Sequence, residues 1–344
     1  MPSKSRISNS VTTGRNILLS GALVLLQGLL ALPSICQTGT GSSPRVDFVK
    51  CWPTAGQKSD KRVKTIFNRV VLGKRPPVLS NPVSILADNP DAFLVADQGN
   101  RILLRVEKGV GEMPQSLKKS NLDFSSLVGI CRGPGSGVLF SDSHAGKIYL
   151  LSGDGKEVSI LNDSLLLGQP TGIAWSPASR EIWVVETSAH RLAVLDEQGR
   201  LLRRVGSRGE GEGQFNFPTH IWIDSEGLVY VVDAMNFRVQ VLDAAGTVLS
   251  VFGKAGDATG YMARPKGIAT DSFGNIYVVD ALFHAVQVFN RQGQFLYAFG
   301  NQGRGDGEFW LPTGITIDDR NNIYVADSYN SRIQVFTLFY PGKQ

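Results

Sequence analysis

Beyond residue 80 the chain alternates apolar with small or polar positions at period two, in short runs that come in sets of four. The stretches "HIWID", "GIATD" and "GITID" alternate, and "LVYVVD", "NIYVVD" and "NIYVAD" follow them, rich in β-branched and aromatic residues. "VQVLD", "VQVFN" and "IQVFT" alternate again, and "RLLRRVG", "TVLSVFG" and "QFLYAFG" supply a fourth run. Period two over four to eight residues predicts half-buried or buried strands. Links such as "DSFGN", "DAAGT" and "NRQGQ" place a glycine late in a short loop, where a hairpin needs positive φ. No segment after residue 36 has sustained helical spacing.

The set of four recurs. Its copies begin near residues 82, 127, 170, 218, 265 and 312. An acidic residue marks one point in each: Asp97, Asp142, Glu186, Asp233, Asp280 and Asp327, spaced by 45, 44, 47, 47 and 47 residues. A fixed period in this range signals a solenoid or propeller. Four antiparallel strands repeated six times predict an all-β, six-bladed β-propeller. The last copy stops after three strands. The stretch Thr65–Arg75, "TIFNRVVLGKR", ends in Leu72-Gly73 as the fourth run ends in Phe299-Gly300. It is therefore expected to complete the last blade and remove a sheet edge. The resulting organisation is residues 1–36 as an export segment, 37–61 as a linker and 62–340 as the propeller.

The repeats resemble NHL repeats, whose pattern runs Pro, an apolar strand, Asp, Gly, an aromatic-Val-x-Asp strand and Asn-x-Arg. "RPKGIATDSFGNIYVVD" and "LPTGITIDDRNNIYVADSYNSRIQVF" carry it well; the second copy, "GICRGPGSGVLFSDSHAGKIYLL", lacks the proline. The resemblance covers residues 65–338 and implies a six-bladed propeller. It is specific for fold and nearly silent on function.

Composition changes the picture at the N-terminus. Lys4, Arg6 and Arg15 precede the uncharged run 17–35, "ILLSGALVLLQGLLALPSI". Its 19 residues lie between a secretory core and a membrane span. A cleaved signal peptide and an uncleaved anchor both fit, and both place the rest in the periplasm or cell envelope. "SIC" before Gln37 is a tolerable cleavage site; Ile35 is unsuited to lipidation of Cys36. Of 35 Lys+Arg and 30 Asp+Glu, the first 36 residues hold three basic and no acidic ones. That leaves 32 against 30, a body of net charge +2, which is poor material for a nucleic-acid partner. Cys51 and Cys131 could pair outside the cytoplasm or stand as buried thiols.

Candidate chemistry sits in the loops starting at each acidic marker: "DQGNR", "DSHAGK", "ETSAHR", "DAMNFR", "DALFHA" and "DSYNSR". Asp and Asn there suit turn-fixing bonds, and the following Arg suits pairing with a nearby acid. Large apolar residues in the same loops have no such explanation. Met235, Phe237, Arg238, Leu282, Phe283, Tyr329 and Arg332 are therefore the expected binding surface for a protein or extracellular polymer, with no cofactor. The membrane is involved only through residues 17–35, if uncleaved. The alternative is a metal-dependent lyase or hydrolase. Peptide-amidating lyases are similar in outline, holding a metal with channel histidines, and His190, His220 and His284 fall on adjacent blades. No shared histidine position recurs beyond His190 and His284, and no inner-strand carboxylate stands out as a base. The glycine runs "GSRGEGEGQFNFP" and "GNQGRGDGEFWLP" lead into no helix and carry no Gly-Lys-Ser/Thr, which argues against phosphate binding. Trp183, Tyr230, Tyr277 and Tyr324 recur in register and read as core.

Overall fold

The computed structural model describes residues 45–53, 79–120 and 122–339. It is a six-bladed propeller of four-stranded antiparallel blades. Blade 1 holds Pro82–Asn89, Ala92–Asp97, Ile102–Glu107 and Val110–Glu112; blade 2 holds Leu127–Arg132, Val138–Asp142, Lys147–Leu151 and Val158–Ile160. Blade 3 holds Pro170–Ser176, Glu181–Glu186, Arg191–Asp196 and Leu201–Val205; blade 4 holds His220–Ile223, Val229–Asp233, Arg238–Leu242 and Val248–Phe252. Blade 5 holds Pro265–Thr270, Ile276–Asp280, Ala285–Phe289 and Phe295–Phe299. Blade 6 takes Ile315–Ile317, Asn322–Asp327 and Arg332–Phe339 from the end of the chain.

Its fourth strand corrects the expected closure. Arg45–Trp52 pairs antiparallel with Arg332–Phe339, from Arg45 opposite Phe339 to Trp52 opposite Ile333. Residues 65–75 lie outside the described residues, and part of the expected linker 37–61 is a strand. The reason is side-chain fit. "RVDFVKCW" turns Val46 and Phe48 onto the cluster that holds Phe336 and Leu338, with Phe48 edge-on to Phe336 at 5.8 Å. Trp52 packs among Phe93, Val95 and Ile333, and its indole N–H donates to Gly109 O at 3.0 Å. Two segments far apart in sequence thus complete one blade, with Arg45–Trp52 as its outer strand covering the edge of Arg332–Phe339.

The blades bury apolar faces against one another. Trp183, Tyr230, Tyr277 and Tyr324 are fully buried. The tyrosines keep their hydroxyls satisfied by donating to Asp224, Asp271 and Asp318 at 2.9, 3.1 and 2.8 Å. The first strands form the inner ring, and there backbone packs on backbone. A Cβ on Gly172 would lie 2.7 Å from His220 Cα, and one on Gly267 would lie 2.6 Å from Thr313 O. Glycine at this position lets neighbouring inner strands touch. Blade 1 has Ser84 at this position and blade 4 has His220. Cys51 is on the outer strand of blade 6 and Cys131 on the inner strand of blade 2, and both thiols are free.

Candidate functional site

Each acidic marker ends the second strand of its blade, and all six are fully buried. Each accepts hydrogen bonds from backbone N–H groups of the loop that leads into its own blade. Ser80 and Asn81 donate to Asp97, and Ser125 and Ser126 donate to Asp142. Gly168 serves Glu186, Asn216 serves Asp233, Ala263 and Arg264 serve Asp280, and Trp310 serves Asp327. The carboxylate thus gathers two loops onto one face of the ring. The chain then makes a tight turn, and the fourth residue past the acid is left-handed in all six blades: Arg101, Gly146, His190, Phe237, His284 and Ser331.

In blades 4 and 6 the acid is also clamped by charge. Asp233 accepts from Asn236, Arg238 and Gln240; Asp327 accepts from Asn330, Arg332 and Gln334. The guanidinium groups go on to donate to loop carbonyls. Arg238 reaches Glu210, Gly211 and Gln214; Arg332 reaches Arg304, Gly305 and Glu308. The glycine runs are therefore cradles for an arginine, with side-chain-free backbone bending round a planar fork of donors. Arg238 and Arg332 are turned inward, with side chains 13% and 11% exposed, and do not belong to a surface a partner could reach. Blade 5 lacks the clamp, because Phe283 and Ala285 stand where blades 4 and 6 have Asn and Arg.

The histidines are not brought together. His190 accepts at Nδ1 from Phe217 N at 3.2 Å, and its ring lies 4.3 Å from that of Phe217. His284 accepts at Nδ1 from Leu311 N at 3.1 Å. These two rings latch blade 3 to blade 4 and blade 5 to blade 6. Burial pulls His284 below the ordinary histidine range, against the raising effect of Asp327 and Asp280. His220 lies at the intervening junction, held down to about 4 by burial. The residue as a whole is half-buried. Among the described residues no group of three or more His, Cys, Asp or Glu could hold a metal ion.

What reaches solvent on this face is the turn tip, two residues past each acid. Around the ring the tips are Gly99, His144, Ser188, Met235, Leu282 and Tyr329. The last three are 54%, 51% and 66% exposed, and Phe217 beside them is 42% exposed. Phe237 and Phe283 are only half-buried neighbours of this arc; Phe237 packs on the core between blades 4 and 5. Half of the ring of tips is thus apolar and half is small or polar. The polar half carries a cavity of about 500 Å3 lined by Ser126, Ser143, His144, Leu166 and Gln169. Sequence reasoning picked out the apolar residues but not this division, although the fixed offset from each acid would have revealed it.

A family described as 6-bladed beta-propeller matches residues 161–249 and 267–341. No curated protein matches the chain. A structural-genomics protein of unknown function from Bacteroides thetaiotaomicron superimposes with a TM-score of 0.63 at 12% identity, over 87% of this chain and 77% of that one. An auxiliary nutrient binding protein from Bacteroides ovatus gives 0.60 at 15% identity, over 87% and 78%. Virginiamycin B lyase from Staphylococcus aureus gives 0.54 at 15% identity, over 76% and 96%. At such identities the likeness is one of fold.

Proposed function

We propose that this chain is a binding propeller of the NHL type, exported to the cell envelope. It engages a protein or extracellular polymer through the loop face and makes or breaks no bonds. The observation that carries the reading is the arc of Met235, Leu282 and Tyr329, at one turn position in three consecutive blades. Each is more than half exposed, where the same position in the other blades is Gly, His or Ser. Apolar side chains at loop tips gain nothing from turn geometry and expose area that a partner would remove from water. The nutrient-binding neighbour is compatible with a binding role, and the lyase neighbour shares the fold. The lyase alternative asks His190 and His284 to leave backbone N–H groups that each already serves.

The test is replacement of Met235, Leu282 and Tyr329 together by Ser. Folding stability should change little, since exposed positions away from caps usually move it by about 0.5 kcal/mol or less each. Capture of envelope protein or polysaccharide by the purified protein should be lost. Unchanged capture by the triple variant removes the apolar arc as the binding surface. Mass measurement of the mature N-terminus tests export: an intact residue 1 in a cytoplasmic fraction contradicts it.

A further inference from the structure

The cavity on the polar half of the loop face lies where blade 2 meets blade 3. Its walls come from the loop entering blade 2, the turn at the tip of blade 2 and the loop entering blade 3. Blade 2 lacks the arginine clamp. Ala145 and Lys147 stand where blades 4 and 6 have Asn and Arg. Lys147 donates instead to Asp163, at 3.1 Å to its backbone carbonyl and 3.3 Å to its carboxylate. The loop into blade 3 is held by Asn162. That buried amide accepts from Ile148 N at 2.7 Å and donates to Gly146 O and Leu165 O at 2.8 and 3.0 Å. The three bonds fix the base of the loop against blade 2 and leave Leu166 standing out from it, 87% exposed.

The polar groups at the cavity form a relay with one end open. Asn81 donates to the Gln98 amide oxygen, Gln98 Nε2 donates to Ser126 Oγ at 3.0 Å, and Ser143 Oγ donates to the same oxygen at 3.0 Å. A hydroxyl has two lone pairs and one proton. Both lone pairs of Ser126 are filled, and among the described residues its proton has no acceptor. Ser125, His144 and Gln169 line the same cavity, and among the described residues none of their side chains has a hydrogen-bond partner. No Lys, Arg, Asp or Glu lines it. Asp142, which ends the adjoining strand, is fully buried and already accepts from the backbone N–H groups of Ser125, Ser126, His144 and Ala145. Lys147 and Asp163 offset each other's charge.

We propose that this cavity binds a neutral sugar ring, with Ser126, His144 and Gln169 meeting its hydroxyls and Leu166 covering a face of C–H groups. A charged ligand would lose hydration with no counter-ion to replace it. A purely apolar ligand would leave the Ser126 proton and the Gln169 amide unpaired. A sugar hydroxyl is both donor and acceptor, as a serine hydroxyl is, so each can turn to suit the other. A peptide strand spreads its donors and acceptors along a line; here they come from three loops around one cavity. The volume of about 500 Å3 falls in the range of small-ligand sites. None of these residues belongs to the apolar arc, so the site stands without that reading and adds a ligand class to it.

Saturation-transfer NMR and isothermal titration of the purified full chain test the site. The probes are the methyl glycosides of glucose, galactose, mannose and N-acetylglucosamine, the methyl glycosides of glucuronate and galacturonate, and a capped trialanine amide. At least one neutral glycoside should bind, and its uronate counterparts and the peptide should bind at least about tenfold more weakly. Ser126→Ala should weaken the bound glycoside about 2- to 10-fold, the worth of one uncharged hydrogen bond. Leu166→Ser, at a side chain that already stands in solvent, should weaken it without altering the melt. Replacing Met235, Leu282 and Tyr329 by Ser should leave glycoside binding unchanged, which separates this site from the apolar arc. Binding of no neutral glycoside, a uronate or the peptide bound as tightly as the best neutral glycoside, or binding unaltered in both Ser126→Ala and Leu166→Ser would each overturn the proposal. So would loss of glycoside binding in the triple variant, which would move the sugar to the arc.

Discussion

His220 should make the fold sensitive to acid, and the effect can be sized from the structure. In blades 2, 3, 5 and 6 the same position is Gly129, Gly172, Gly267 and Gly314. An imidazole stands where four of the other blades have no side chain and blade 1 has only the small Ser84. Burial lowers its titration from 6.5 to about 4, because a charged ring would lose its hydration there. In the unfolded chain the ring takes a proton as the pH drops below 6.5; in the folded chain it resists until about 4. The unfolded state therefore binds more protons in that window. Stability is fully present above pH 6.5, is lost as pH falls toward 4, and is constant with respect to this group below that. At about 1.4 kcal/mol per pH unit the loss is about 3 kcal/mol, an upper bound because the residue as a whole is only half-buried. Denaturant unfolding between neutral pH and about pH 4 should be compared for the natural protein and His220→Gln. The carboxylates titrate in both, so the difference isolates His220: the natural protein should lose about 3 kcal/mol or somewhat less beyond the loss in the variant. Parallel stability curves, or an NMR titration of His220 near the ordinary histidine value, would refute the reasoning.

Arg332→Met should lower stability by about 3–5 kcal/mol, because it leaves the fully buried Asp327 without its cation; thermal melting measures it, and a change under about 1 kcal/mol would show that Asn330 and Gln334 hold the carboxylate unaided. Removing residues 45–52 should expose the edge of Arg332–Phe339 and uncover Phe336; light scattering and a melt should report aggregation or a large fall in melting temperature, and an unaltered melt would mean that the strand is dispensable for closure.

The sequence by itself determined the architecture. Period-two runs, glycine-bearing links and six acidic markers at near-constant spacing leave few alternatives to a six-bladed propeller, since each unit is too small to bury its own faces and must stack on its neighbours. The aromatic core positions were legible for the same reason: Trp183, Tyr230, Tyr277 and Tyr324 recur in register, and register is local. Tertiary structure decided what depends on two distant segments meeting. Thr65–Arg75 matches the fourth strand in its ending, yet Arg45–Trp52 occupies the edge, because Val46, Phe48 and Trp52 fit the faces offered by Phe336 and Phe93. Arg238 and Arg332 read as loop residues in sequence; only the return of the glycine runs over Asp233 and Asp327 makes them interior. His190, His220 and His284 occupy adjacent blades in sequence, but the ring assigns each to a different junction, where a backbone N–H or burial claims it before a metal could. Spacing along a chain fixes which blade a residue belongs to. Which neighbour that residue meets is set by the direction of its Cβ and by what the adjoining blade presents there.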